Sequence, residues 1–186
     1  MNLINFSNNF IGFQEGEDIL VDTGILLAYF NEYDAYYSAV KELFDHYIYG
    51  TNTSIFLYVN PTIVNEITHL AHDPVKRYLA AHPADQTKFD MTTLNTLQDK
   101  ITNGVKGLIE DEILYVLDGN EESVIKQIEL SKALGSADAV NASIADLFGT
   151  SFLTVDKKLA YKMKSVEIEL PNIRNVYYTT SQFRDY

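Results

Sequence analysis

Cysteine and tryptophan are both absent from the 186 residues, and there are only four prolines and four histidines. Without cysteine there is no disulfide framework and no thiolate metal site, and a reducing compartment is the natural setting. A long apolar run is missing too. No window approaches the roughly 18 uninterrupted apolar residues of a membrane span, and the opening MNLINFSNNFIGFQEGEDIL carries no basic leader. The expectation is a cytoplasmic protein without membrane contact. Positive charge is scarce as well: 14 Lys and Arg face 26 Asp and Glu, a net charge of −12. Such a surface repels polyanions and argues against non-specific nucleic-acid binding, although a divalent cation can supply a nucleic-acid enzyme with the charge its protein lacks. The few basic residues are unevenly placed, with Lys157, Lys158, Lys162 and Lys164 crowded into one stretch. Read plainly, they are a solvated helix face with lysines toward its C-terminal end.

Strand and helix signals alternate. The runs DILVDT (18–23), SIFLYV (54–59), SFLTV (151–155) and NVYYTT (175–180) are β-branched or aromatic. Between them, DAYYSAVKELFDHYIYG aligns Tyr36, Val40, Leu43, Phe44 and Tyr47 on one face, with Gly50 as a stop. NPTIVNEITHLA opens on Asn60 as N-cap and Pro61 at the first helical position. EESVIKQIELSKALG ends on a capping Gly135, and Ser136 is expected to cap the helix that follows. Strands alternating with helices imply right-handed crossovers and a mostly parallel sheet covered on both faces. The chain reads as one domain over 1–186, with a polar, partly helical stretch at about 73–120 and no repeat or linker.

In such a sheet a site lies beyond the carboxyl ends of the strands. Asp22 follows ILV, Asp156 follows FLTV, and Asp138 lies in the first turn of a helix. Glu66 sits at the margin of the stripe made by Ile63, Ile67 and Leu70. Each of the aspartates has an ordinary explanation: Asp22 or Thr23 as the cap of GILLAYF, Asp156 as the cap of KKLAYKM, Asp138 as a dipole partner. Glu66 has none, since a carboxylate beside a core stripe is costly unless paired or metal-bound. Carboxylates gathered at one edge favour a shared divalent ion, which holds them ionised. Other chemistries are weaker. Glu66 and His69 form a lone E-x-x-H where a di-iron bundle needs two, and His69 with His72 lacks further zinc ligands. There is no P-loop, no dinucleotide glycine motif and no G-x-S-x-G elbow. Most of the 13 tyrosines fall in apolar stripes, which suits core packing.

The ordered set ILVDTGILLAYF, NPTIVNEI, GSADAVNASIA and FLTVD resembles the PIN-domain ribonucleases of the VapC type, over Asp18 to Leu70 and Glu121 to Met163. The resemblance implies a three-layer α/β/α fold around a mostly parallel sheet of about four to five strands, with 73–120 as an insertion. It implies an acidic tetrad of Asp22, Glu66, Asp138 and Asp156 as catalytic and metal-binding residues, with Thr23 and Thr154 in support. The cofactor would be Mg²⁺ or Mn²⁺ and the reaction hydrolysis of RNA, in a toxin-like or RNA-processing role. Lys157, Lys158 and Lys162 would hold RNA phosphates. Expected partners are RNA, an antitoxin or other protein, and a second copy of the chain through the tyrosine-rich helix at 34–50. The competing reading is a catalytically silent PIN-like module that binds a protein. Two departures stand out: the segment 73–120 and the tail after Lys164 lengthen the chain, and its charge is acidic for an RNA enzyme.

Overall fold

The computed structural model describes residues 1–50 and 52–186. Among them, six strands follow in chain order: β1 (Asn2–Asn5), β2 (Glu17–Val21), β3 (Ile55–Val59), β4 (Leu114–Val116), β5 (Ser151–Leu153) and β6 (Asn175–Tyr178). Eight α-helices connect them: α1 (Thr23–Phe30), α2 (Tyr37–Leu43), α3 (Pro61–Leu70), α4 (Asp73–Ala81), α5 (Met91–Glu110), α6 (Glu121–Leu134), α7 (Ser136–Phe148) and α8 (Lys157–Ser165). No helix among the described residues is long and apolar enough to cross a membrane.

The strands form one sheet in the order β1-β6-β5-β2-β3-β4, and every pair is parallel. From β2 the chain steps one way, to β3 and then β4; from β5 it steps the other way, to β6. Right-handed crossovers therefore put α1 to α5 on one face and α6 to α8 on the other. The packing agrees, with α1 against α2, α3 and α5, and α6 against α7 and α8. Strands covered on both faces must be apolar throughout. Ile19, Leu20, Val21, Phe152, Leu153 and Val176 are all inaccessible to solvent.

The sheet has six strands where four to five are expected, and β1 and β4 are the two without a sequence signal. β1 lies at the polar edge of the sheet beside β6 and carries two asparagines among its four residues. β4 is three residues long with two of them exposed, and directly follows a turn in which Glu112 has positive φ. Neither offers an apolar period to read. The helix expected at 34–50 is shorter: α2 runs into a π-helical turn, Phe44–Ile48. Its stripe faces inward, with Val40, Leu43 and Phe44 buried and Tyr36 and Tyr47 packed against the core. Ser136 is not a cap. It is the first residue of α7, and Gly135 forms the junction at φ 104°, a conformation closed to residues with a Cβ.

The amino edge of the sheet carries a polar knot. Glu17 accepts from Ser151 Oγ (2.5 Å), Asn175 Nδ2 (2.8 Å), Tyr177 Oη (2.7 Å) and Gln14 N (3.0 Å). Burial pushes this carboxyl up, but the hydrogen bonds outweigh it and hold the pKa below its ordinary value. A depressed acid stabilises the fold above its unfolded pKa and loses that contribution as pH falls through the folded value. Glu17→Gln should therefore cost about 1–3 kcal/mol in urea unfolding at neutral pH, with the gap from wild type narrowing as the solution is acidified.

Candidate functional site

The strand order reverses between β2 and β5, which makes a topological switch point, the place where a parallel sheet opens a crevice at its carboxyl ends. Residue register then decides what stands there. Val21 pairs with Leu153, so the next residues, Asp22 and Thr154, face each other. Asp22 N donates to Leu153 O at 2.9 Å, and Thr154 Oγ1 donates to Asp22 Oδ2 at 2.6 Å. Asp22 also caps α1, its Oδ1 accepting from Thr23 N at 2.8 Å. The capping role and the site position coincide in one side chain.

Glu66 arrives from α3. Its Oε2 accepts from Thr23 Oγ1 at 2.7 Å, which ties α3 to the start of α1 beside Asp22. Asp138 arrives from the first turn of α7, where it makes no capping bond. A buried asparagine pair joins these two helices. Asn60 must accept from Ile63 N with its Oδ1 (3.0 Å), so its Nδ2 donates to Asn141 Oδ1 (2.9 Å), one turn along from Asp138. That leaves Asn141 Nδ2 buried without a partner. On the far side of α7, Asp146 is fully buried in an ion pair with Lys126 of α6 and also accepts from Asn172 N at 2.8 Å.

The acids act on one another. Burial pushes the Asp22 carboxyl up to about 7, with Asp138 and Glu66 adding repulsion, while the bonds from Thr154 and Thr23 pull the other way. Asp138 is pushed up to about 6, by burial first and then by Glu66 and Asp156, with Lys162 opposing. Asp22, Glu66 and Asp138 thus share one electrostatic neighbourhood, and Asp156 adjoins it through Asp138. Asp156 itself is exposed and caps α8, its Oδ1 accepting from Lys158 N (2.7 Å) and Leu159 N (3.1 Å). Its own amide donates to Thr154 Oγ1 at 3.0 Å. Thr23 and Thr154 are both buried and both bond to the acids.

The donors are all carboxylate and hydroxyl oxygens, the kind preferred by Mg²⁺ and Mn²⁺. They do not form a finished cage, since no three acidic or histidine side chains among the described residues converge closely enough to surround an ion. Mg²⁺ needs no such cage, because it keeps several waters and is held by one or two carboxylates. In kind and in charge the residues fit the ion.

No family profile matches the chain, and no curated protein matches it in sequence. Solved structures match its shape. FitAB bound to an IR36 DNA fragment aligns with a TM-score of 0.51 and 14% identity, over 86% of this chain and 94% of that one. FitAcB from Neisseria gonorrhoeae gives 0.50 and 15%, over 88% and 98%. VapBC2 from Rickettsia felis, bound to a promoter DNA fragment, gives 0.49 and 15%, over 86% and 98%. The likeness is one of fold.

Sequence reasoning missed several residues around this crevice. Asn60 was recognised as a cap, but its bond to Asn141 crosses 81 positions and has no local signal. Lys162, expected among the phosphate-binding lysines, also acts through its charge on Asp138, and its Nζ donates to Leu134 O at 3.4 Å.

Proposed function

We propose that this protein is a metal-dependent endoribonuclease whose ion is held by Asp22, Glu66 and Asp138, with Asp156 at the margin. The observation that carries the reading is the electrostatic cost of the arrangement. Burial and mutual repulsion hold Asp22 near 7 and Asp138 near 6 at the switch point, a burden that a divalent cation would relieve. Bound there, Mg²⁺ or Mn²⁺ would lower the pKa of a water and steady charge on the phosphoryl oxygen. The protein's own part is positioning. Thr154 orients Asp22, Thr23 orients Glu66, and the Asn60–Asn141 bond sets the spacing of α3 and α7. Lys157 and Lys158, on the first turn of the helix that Asp156 caps, are suited to hold substrate phosphates at the site's rim.

The order of motifs, resembling VapC-type proteins, also supports a protein partner of the antitoxin kind. A homodimer would use a face other than the inward stripe of α2; Val124, Ile125 and Ile128 of α6 are exposed and apolar. Incubating single-stranded RNA with the protein and Mn²⁺ tests the activity. Cleavage is expected with wild type, and Asp22→Asn should lower it by at least roughly a thousandfold. Cleavage that survives in Asp22→Asn would place the activity elsewhere. No cleavage by wild type in the presence of Mn²⁺ would favour the silent protein-binding module.

A further inference from the structure

Beside Asp156, a cleft of about 360 Å³ is lined by Tyr36, Arg77, Lys157, Lys158, Ser181 and Arg184, with Val155 and Asp156 at one end. Four of the chain's 14 basic residues meet there, although they come from α4, the start of α8 and the C-terminal tail. In a protein of net charge −12 this concentration is the exception. We infer that the cleft is a track for single-stranded polynucleotide, carrying the strand from the acidic site across the tail to α4. For the identity of its ligand the inference rests on the nuclease reading above.

Three observations carry it. First, the cations are largely uncommitted. Lys157 and Lys158 are exposed and in no ion pair among the described residues. Arg77 touches Asp34 at a single 3.4 Å contact and stays 63% exposed. Arg184 spends only its Nε, donated to Tyr36 Oη at 3.0 Å, which leaves two terminal nitrogens for a phosphate. Second, aromatic rings are interleaved with the charges: Arg184 lies 5.2 Å from the Tyr36 ring centre and Lys157 lies 5.5 Å from that of Tyr161, itself half exposed. Cations set beside one partly buried ring, Tyr36, and one half-exposed ring, Tyr161, suit a flexible strand with stacking bases. An acidic peptide would use the charges and leave the rings idle. Third, the tail that supplies Arg184 is fastened in place. Asp185 N donates to Ala35 O at 2.7 Å, Asp185 Oδ2 accepts from Ser38 N at 3.1 Å, and Tyr186 Oη donates to Tyr33 O at 2.8 Å. Asp156 of the candidate site is itself part of the cleft's lining.

The test is fluorescence anisotropy with a labelled oligouridylate of about 15 nucleotides, in chelator so that metal-dependent hydrolysis is silent. Arg77→Gln with Arg184→Gln should weaken binding about tenfold at low salt, and the slope of log affinity against log salt should fall by about 1.4. Arg184→Gln alone keeps the Asp185 and Tyr186 anchors and should show about half of each effect. Lys106→Gln with Arg174→Gln removes the same net charge away from the cleft and should leave the slope unchanged. Affinity and slope equal to wild type in the cleft variants would overturn the inference. So would tighter cleft-dependent binding of polyglutamate than of oligouridylate, which would assign the cleft to an acidic protein segment. The nuclease reading fails separately: loss of the Mn²⁺ thermal shift in wild type leaves this chelator measurement intact, and the shift persists in the cleft variants whatever the track binds.

Discussion

Asp22→Asn should melt above wild type in chelator at pH 8 and gain nothing from millimolar Mn²⁺. The sign follows from the raised pKa. Asp22 ionises near 7 in the fold and near 3.8 when unfolded. Its contribution is therefore fully favourable only below the unfolded value and is lost as pH rises through the folded one. At pH 8 the ionised carboxylate costs the fold on the order of 4 kcal/mol. Asparagine removes that cost but gives up one of two accepted bonds, Thr154 Oγ1 or Thr23 N, worth about 1 kcal/mol. A net gain of roughly 3 kcal/mol remains at pH 8, shrinking toward pH 4. Asp138→Asn should gain less, because Asp138 is only partly buried and screened by water. Asp156→Asn should be nearly neutral, since asparagine caps about as well as aspartate, whereas Asp156→Ala should lose about 1 kcal/mol with or without metal.

Thr154→Val should produce the opposite change. Thr154 is fully buried, donates to Asp22 Oδ2 and accepts from Asp156 N. Valine keeps the shape of the strand end and removes both bonds. The Asp156 amide is then left unpaired and Asp22 loses its side-chain donor, a loss of about 2–4 kcal/mol in urea or thermal unfolding. Without that donor the Asp22 carboxyl rises further, so the Mn²⁺-induced thermal shift should set in at a higher pH than in wild type. Thr154→Ser should recover most of both properties. A valine variant as stable as wild type would show that the hydroxyl neither holds Asp22 nor joins β5 to α8.

The parts of this architecture visible in the sequence are those set by local periodicity. Ile19 to Val21 and Phe152 to Leu153 sit in apolar strands because both sheet faces are covered, and the Asn60-Pro61 start of α3 announces itself by capping chemistry. Asp22, Asp138 and Asp156 are legible as acids at element junctions, and Glu66 as an acid at the margin of a core stripe. The local signals of the three aspartates are those of a helix start, and in Asp22 and Asp156 the capping bonds are present as well. What the sequence could not show are the long-range pairings. The meeting of Arg77 and Arg184 across the tail, the Lys126–Asp146 pair and the Asn60–Asn141 bond depend on where the crossovers deliver their helices. β1 and β4 were invisible because edge strands of four and three residues owe their form to backbone pairing with β6 and β3.

The most direct test of a divalent ion held by Asp22, Glu66 and Asp138 is calorimetric titration of Mn²⁺ in buffers of different ionisation heat, which counts the protons released on binding. Because Asp22 and Asp138 ionise near 7 and 6, an ion bound between them must displace protons at mildly acidic pH. About one proton should be released near pH 6.5, falling toward zero by pH 9, with both binding and release abolished in Asp22→Asn. Mn²⁺ binding without proton release, or undiminished by Asp22→Asn, would contradict this placement of the ion.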